Sequence, residues 1–345
     1  MTFDLSQWIQ HEVNQQTIPG AVVGIYKKNQ LLYREAFGYA AVYPAKEKMT
    51  VDTVFDVASL TKVVCTTPLI LQLIGNGKIH LHDRVSFFLP AFNRDDKKDI
   101  TIYQLLTHTS GMRAHYPFYE MADKDVLNTI AELPLHNATG KQVEYSDLGF
   151  ITLYYLIEAI SETPFAEHAQ THLFERLEMS QTGFFPQAET CAATEYDPIS
   201  KRWLKGIVHD ENARHLGGIS GHAGLFSTVK DLGNFMSMIT NDGVYKGKQI
   251  LATPVVELAR SCFTENMGER RGLGWLLKSS GPSTCGDLFS QSSYGHTGFT
   301  GTSIWVDPQK DLHVIVLTNR VHFGRENQIL RFRSRLHNRI STQFT

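Results

Sequence analysis

The chain starts and finishes in what reads as a β-hairpin, and this constrains its fold more than any other feature. Ala21 to Tyr26 and Leu31 to Phe37 are strand-like runs around Lys27-Lys28-Asn29-Gln30. Thr302 to Val306 and Leu312 to Leu317 repeat the pattern around Asp307-Pro308-Gln309-Lys310-Asp311. Hairpins so far apart in sequence are most economically joined in one mainly antiparallel sheet, an α/β (α+β) arrangement with helices packed on it and a helical lobe inserted between. At 345 residues, 42% of them hydrophobic, the chain can bury one large core or two lobes. No internal repeat or low-complexity linker divides it, so residues 1–345 read as one domain, with an α/β lobe over 1–75 plus 200–345 and a mainly helical lobe over 76–199.

Charge and patterning exclude several functions. A formal net charge of −2 and the lack of a sustained Lys/Arg stripe leave no footprint for nucleic acid. The Arg-containing end, Arg331 to Leu336, places Ile329, Leu330, Phe332, Leu336 and Ile340 at helical spacing and reads as a surface helix. Leu5, Trp8, Ile9 and Val13 suggest an amphipathic helix ended before Pro19-Gly20, not a signal peptide. No apolar run is long enough to span a bilayer. The expectation is therefore a cytoplasmic protein, or a periplasmic or secreted one if a leader is missing. Cys65, Cys191, Cys262 and Cys285 lack pair spacing, so reduced thiols are expected and a zinc site is not. His80-Leu81-His82 and His209-Asp210-Glu211 lack the spacing of a zinc hydrolase and read as loop polarity. No metal or cofactor is expected, and the sequence leaves the oligomeric state open.

Chemistry concentrates at Ser59-Leu60-Thr61-Lys62, where a hydroxyl and an amine stand three residues apart at the start of an apolar helical run closed by Gly75-Asn76-Gly77. Residues i and i+3 share a helix face, so Lys62 can reach Ser59, a weak nucleophile without such help. Burial of that helix would desolvate Lys62 and push its pKa down. A second match, Ser227-Thr228-Val229-Lys230, precedes Asp231 and reads as helix capping. Two later tripeptides, Tyr145-Ser146-Asp147 and His296-Thr297-Gly298, complete an ordered set with Ser59 and Lys62.

This set resembles that of the serine β-lactamase and penicillin-binding protein family, in the branch of class C β-lactamases, D-alanyl-D-alanine carboxypeptidases and related esterases. Phe55 to Ala58, Leu105 to Met112 and Gly221 to Thr228 add to the resemblance. It implies the same α/β fold, an acyl-enzyme on Ser59, proton traffic through Tyr145 and Lys62, and an oxyanion hole from the backbone N–H groups of Ser59 and Phe299. Asp147, His296, Thr297 and Gly298 are the implied substrate-binding positions.

Two departures bear on substrate. The family usually carries Asn where Asp147 stands. An ionised Asp only accepts hydrogen bonds, and close to Lys62 it would hold the amine protonated, shifting the basic role toward Tyr145. Many members carry Lys where His296 stands, and an imidazole there would make binding of a substrate carboxylate pH-sensitive. The segment Val208 to Ala213 resembles a loop of branches acting on cell-wall fragments, which points to a cell-wall-derived peptide or muropeptide. A small ester is the alternative, and β-lactam turnover would further demand deacylation. A catalytically silent binding or assembly protein is the alternative of another class, disfavoured by the retention of Ser59, Lys62 and Tyr145. Each of these residues also has an ordinary reading alone, as a cap, a solvated amine or a half-buried aromatic.

Overall fold

A computed structural model describes residues 4–122, 125–326 and 328–344. The terminal hairpins do meet in one sheet. Its strands are β1 (Gly20–Lys27), β2 (Gln30–Ala41), β3 (Glu47–Lys48), β4 (Leu276–Leu277), β5 (Tyr294–Thr297), β6 (Ser303–Asp307) and β7 (Leu312–Thr318). They lie in the order β4-β5-β6-β7-β1-β2-β3, every neighbouring pair antiparallel. The central pairing sets Ala21 opposite Thr318 and Lys27 opposite Leu312, so the N-terminal strand closes against the C-terminal one. The first hairpin runs longer than its apolar pattern: β2 pairs with β1 as far as Gly38 and continues to Ala41, where Tyr39 and Ala41 find ladder partners in β3.

Both faces of β1 and β7 are covered, and period-2 alternation sorts their side chains. Val22, Tyr26, Ile315 and Leu317 join one core, whereas Ala21, Val23, Ile25, Val314 and Val316 join the other. The second core is closed by α1 (Leu5–Asn14), through Leu5, Trp8, Ile9 and Val13, and by the C-terminal helix, through Ile329, Phe332, Leu336 and Ile340. Trp8 and Phe332 stack there with ring centroids 5.5 Å apart. The first core receives α2 (Thr67–Gly75), α3 (Asp147–Ser161) and α4 (Val229–Thr240). Gly24 permits the seating of α4, because a Cβ there would sit 2.5 Å from Val229 Cγ1.

The C-terminal helix, α5 (Ile329–Gln343), differs from the expected surface helix in one respect. Its apolar stripe faces the core as the spacing requires, but Arg333 is on that buried side too, only 3% exposed. The second Ser-x-x-Lys is a cap: Thr228 accepts from Asp231 N, Ser227 is buried against Thr182, and Lys230 is exposed. The four cysteines are free. Among the described residues no helix is long and apolar enough to cross a membrane.

Candidate active site

Ser59 stands just before the helix that leads into α2. The preceding strand-like pair Phe55–Asp56 is held antiparallel to Phe226–Ser227, and Ala58 takes a left-handed φ of 47° with its N–H bound to Asp56 Oδ1. That conformation is uncommon for a residue with a Cβ and fixes the turn presenting the serine. The next turn, Lys62–Thr66, is a π-type turn before the α-helix resumes, a feature frequent at functional sites. It is cradled from across the chain: Thr66 Oγ1 donates to Gly221 O, and Leu225 N donates to Thr61 Oγ1.

Lys62 is fully buried, and its ammonium makes three hydrogen bonds: to Ser59 Oγ at 3.1 Å, Asp147 Oδ1 at 2.7 Å and His222 O at 3.1 Å. An ammonium has three donors and no acceptor, so this set saturates it. Burial alone would push Lys62 down, as expected from the sequence. The Asp147 carboxylate, joined by Tyr145, outweighs burial and raises the pKa above 10.5. The lowered amine is thus corrected to a protonated one, and the expected effect of a nearby Asp147 is what prevails.

Asp147 is the first residue of α3, whose cap is Ser146, accepting from Gly149 N while its hydroxyl donates to Arg113 O. This places Tyr145 at the cleft wall. Its ring packs on His108 at 4.5 Å and His296 at 5.9 Å between centroids, with Lys62 Nζ 4.9 Å from its own centroid. His108 accepts from Ser146 N through Nδ1, and burial and the nearby Arg271 and Lys62 hold it well below its ordinary pKa.

His296, on β5, is 3% exposed and hydrogen-bonds Thr297 O through Nδ1. Burial, then Arg271 and Lys62, hold its pKa well below 6.5. The pH-sensitive imidazolium expected at this position is therefore not what the site provides: the ring is neutral at physiological pH. Thr297 ends β5, and Gly298 and Phe299 follow it into the turn before β6. Gly298 is packed so tightly that a Cβ would meet Thr302 Oγ1 at 2.1 Å and Val57 O at 2.4 Å. The turn is stitched to the segment before Ser59 by Thr300 Oγ1 donating to Asp56 O and Thr302 Oγ1 donating to Val57 O.

Ser59, Tyr145, His296, Thr297, Gly298 and Phe299 all line one cleft of about 550 Å³. Sequence reasoning missed the arginines that line it with them, Arg271, Arg320, Arg325 and Arg333. Arg271 is 4% exposed, its guanidinium 5.3 Å from the Tyr145 centroid, with Nη2 bound to Glu269. Arg320 and Arg325 cover the Phe299 ring, and Arg325 bridges Glu195 and Glu211. Lone arginines carry no motif, so only their convergence marks them. The His209 segment forms the rim: His209 bonds Glu195 and stacks on Phe299, while Asp210 caps a short helix and bonds His222. These side chains serve one another, which accounts for the polarity read from sequence.

The family model described as "Beta-lactamase" matches residues 5–339. A putative D-alanyl-D-alanine carboxypeptidase of Escherichia coli (strain K12) is 31% identical over 360 aligned positions, covering 92% of this chain and 82% of that protein. Among solved structures, EstCE1, "a hydrolase with promiscuous acyltransferase activity", superposes with a TM-score of 0.79 at 22% identity, over 98% of this chain and 97% of that one. A β-lactamase/D-alanine carboxypeptidase from Pseudomonas syringae gives 0.79 at 17% identity, over 99% of each chain.

Proposed function

The chain belongs to the Beta-lactamase family, whose members are serine hydrolases, and from that premise we propose that it forms an acyl-enzyme on Ser59 and hydrolyses a small carboxylate-bearing amide, a cell-wall-derived peptide or muropeptide. The observation that carries this reading is the saturated Lys62 ammonium, which donates to Ser59 Oγ, Asp147 and His222 at once. Such a lysine cannot accept the serine proton. It stabilises the charge that develops on the oxygen when another group does.

That group is Tyr145, which lines the cleft beside Ser59. As the Ser59 oxygen bonds to the carbonyl carbon, its proton passes to the tyrosine oxygen while the phenol gives its own proton to the departing amine nitrogen, so that the C–N bond breaks, Tyr145 stays neutral and the acyl group is left on serine. Water, activated by the same tyrosine, releases the acid. The backbone N–H groups of Ser59 and Phe299 receive the carbonyl oxygen as it becomes an oxyanion. Asp147, His296, Thr297 and Gly298 border the bound substrate, Asp147 acting through Lys62.

The substrate class rests on charge. Of the four arginines that line the cleft, Arg271 is bound to Glu269 and Arg325 to Glu195 and Glu211, while Arg333, with no carboxylate partner among the described residues, keeps a positive charge at the lining that suits a ligand with an anionic end. The name carried by the Escherichia coli relative points the same way. One observation favours a small ester instead: Asp147 is committed to Lys62 and offers no amide donor to a peptide substrate.

The test is intact mass after incubation with a fluorophosphonate and, separately, a penicillin, followed by turnover of a D-alanyl-D-alanine peptide and a p-nitrophenyl ester. A single adduct mapped to Ser59 with peptide turnover supports the proposal. An adduct with ester turnover alone selects the esterase reading, and no adduct with no turnover selects a binding protein.

A further inference from the structure

Among the described residues, the buried arginine of α5 has no carboxylate partner. Instead, Arg333 Nη2, at the edge of the cleft, donates to Gly298 O and Thr302 O of the β5–β6 turn, both at 2.8 Å. Gly298 O belongs to the same peptide unit as the N–H of Phe299. The single cis peptide bond among the described residues is Tyr43-Pro44, so the Gly298–Phe299 peptide is trans. In a trans peptide the C=O and N–H point in opposite directions. A donor that pins the Gly298 carbonyl on the α5 side therefore aims the Phe299 N–H away from α5.

The rest of the turn is tied down consistently. Gly298 N donates to Thr302 O at 2.7 Å and Gly301 N to Gly298 O at 3.1 Å, so Arg333 adds a charged donor to each of two carbonyls already in use. The following peptide is held by a second arginine, Arg320 Nε donating to Phe299 O at 2.7 Å. Both peptide planes that flank the Phe299 Cα are thus gripped by guanidinium groups. A cationic donor on a carbonyl also polarises its peptide and strengthens the N–H on the other end.

We propose that Arg333 is a positioning residue for the oxyanion hole: from the C-terminal helix it locks and polarises the Gly298–Phe299 peptide so that the Phe299 N–H is preset toward the oxygen bound at Ser59. This goes beyond the function proposed above but rests on its assignment of Ser59 and Phe299. It gives a reason for burying an arginine on a helix whose buried side is otherwise formed largely by Ile329, Phe332, Leu336 and Ile340, since a buried charge is costly unless it is paired or hydrogen-bonded.

The experiment compares wild type with Arg333→Lys and Arg333→Met, using a phenylboronic acid, whose tetrahedral adduct on serine places an oxygen in the oxyanion hole, and a pair of substrates differing only as free acid and methyl ester. Losing a donor from such a hole costs about 100- to 1,000-fold in kcat; a donor loosened but retained should cost roughly 10- to 100-fold. In Arg333→Met, boronate affinity and kcat/KM should fall together by that factor while the acid-to-ester preference stays as in wild type, with Arg333→Lys in between. Unchanged boronate affinity in a folded variant overturns the proposal. So does a collapse of the acid-to-ester preference without loss of boronate affinity, which would make Arg333 a substrate anchor. If Arg333→Met does not fold, Arg333→Lys decides: wild-type boronate affinity in it overturns the proposal, and a loss supports it. Fluorophosphonate labelling of wild type separates the premises, since an unlabelled Ser59 defeats the functional assignment itself.

Discussion

Replacing Asp147 by Asn removes the charge that keeps Lys62 protonated. The two groups are 2.7 Å apart, and at an effective dielectric constant of about 20 unit charges at that distance attract by about 6 kcal/mol. Desolvation offsets part of this, and breaking a buried pair by deleting one partner costs about 3–5 kcal/mol. Lys62 has no exposed side-chain surface, but Asp147 keeps 21% of its own, so the lower end applies, about 3 kcal/mol. For a chain of this size that is a drop in Tm of roughly 5 °C. The pH dependence gives a second reading. In wild type the Lys62 pKa is raised above 10.5, so its stabilisation is complete below that value and is lost as pH climbs through the folded-state pKa. In Asp147→Asn, burial, the largest influence on Lys62, is opposed by Tyr145 without the carboxylate, and the folded pKa is expected to fall below the unfolded one. The unfolded chain then binds more protons, and stability rises with pH across that interval. The Tm deficit measured by calorimetry should therefore narrow between about pH 7 and pH 9.5. The new amide also supplies a donor to the cleft, so the amide-to-ester activity ratio should rise. A variant melting with wild type at both pH values would refute the electrostatic argument, and an unchanged ratio in a stable variant would remove Asp147 from substrate selection.

Ser59→Ala should abolish fluorophosphonate labelling, whereas Ser227→Ala, a change at a buried side-chain contact with Thr182, should leave it intact; intact mass decides, and equal loss in two folded variants would defeat the assignment. Because the His296 pKa lies well below 6.5, kcat/KM on a carboxylate substrate should show no His296 titration between about pH 6 and pH 8; a transition there that disappears in His296→Gln would contradict the neutral ring. Gly298→Ala forces a Cβ to within 2.1 Å of Thr302 Oγ1 and 2.4 Å of Val57 O, so turnover should fall at least about 10-fold through displacement of the turn. Glu195 is held down to about 2, first by its hydrogen bond to His209 and also by Arg325. Its stabilisation is present above an unfolded value of 4.5 and lost as pH falls toward 2. Glu195→Gln should flatten the acid limb of the Tm–pH curve; an unaltered limb would show that the rim bridge contributes nothing.

The sequence by itself determined the frame. Alternating strands at both ends, the stripe of Leu5, Trp8, Ile9 and Val13, and the cap at Thr228 are local patterns, set by neighbours a few residues away, and they fold as their spacing dictates. The order of Ser59, Lys62, Tyr145, Asp147 and His296 likewise brought into view the cleft residues Ser59, Tyr145 and His296 and the buried pair Lys62 and Asp147 beside them, and the cap at Thr228 set Ser227 aside. Tertiary structure decided what those groups are chemically. Lys62 is protonated because Asp147, 85 residues away, lies 2.7 Å from it, and nothing within one helix could weigh that charge against burial. His296 is neutral because the chain folds over it and sets Arg271 nearby. Arg333 read as one more cation on an amphipathic helix, since spacing along α5 cannot reveal that its buried side meets the carbonyls of Gly298 and Thr302. Protonation states and the aim of a peptide plane depend on distances between segments remote in sequence, and those distances exist only once the chain has packed.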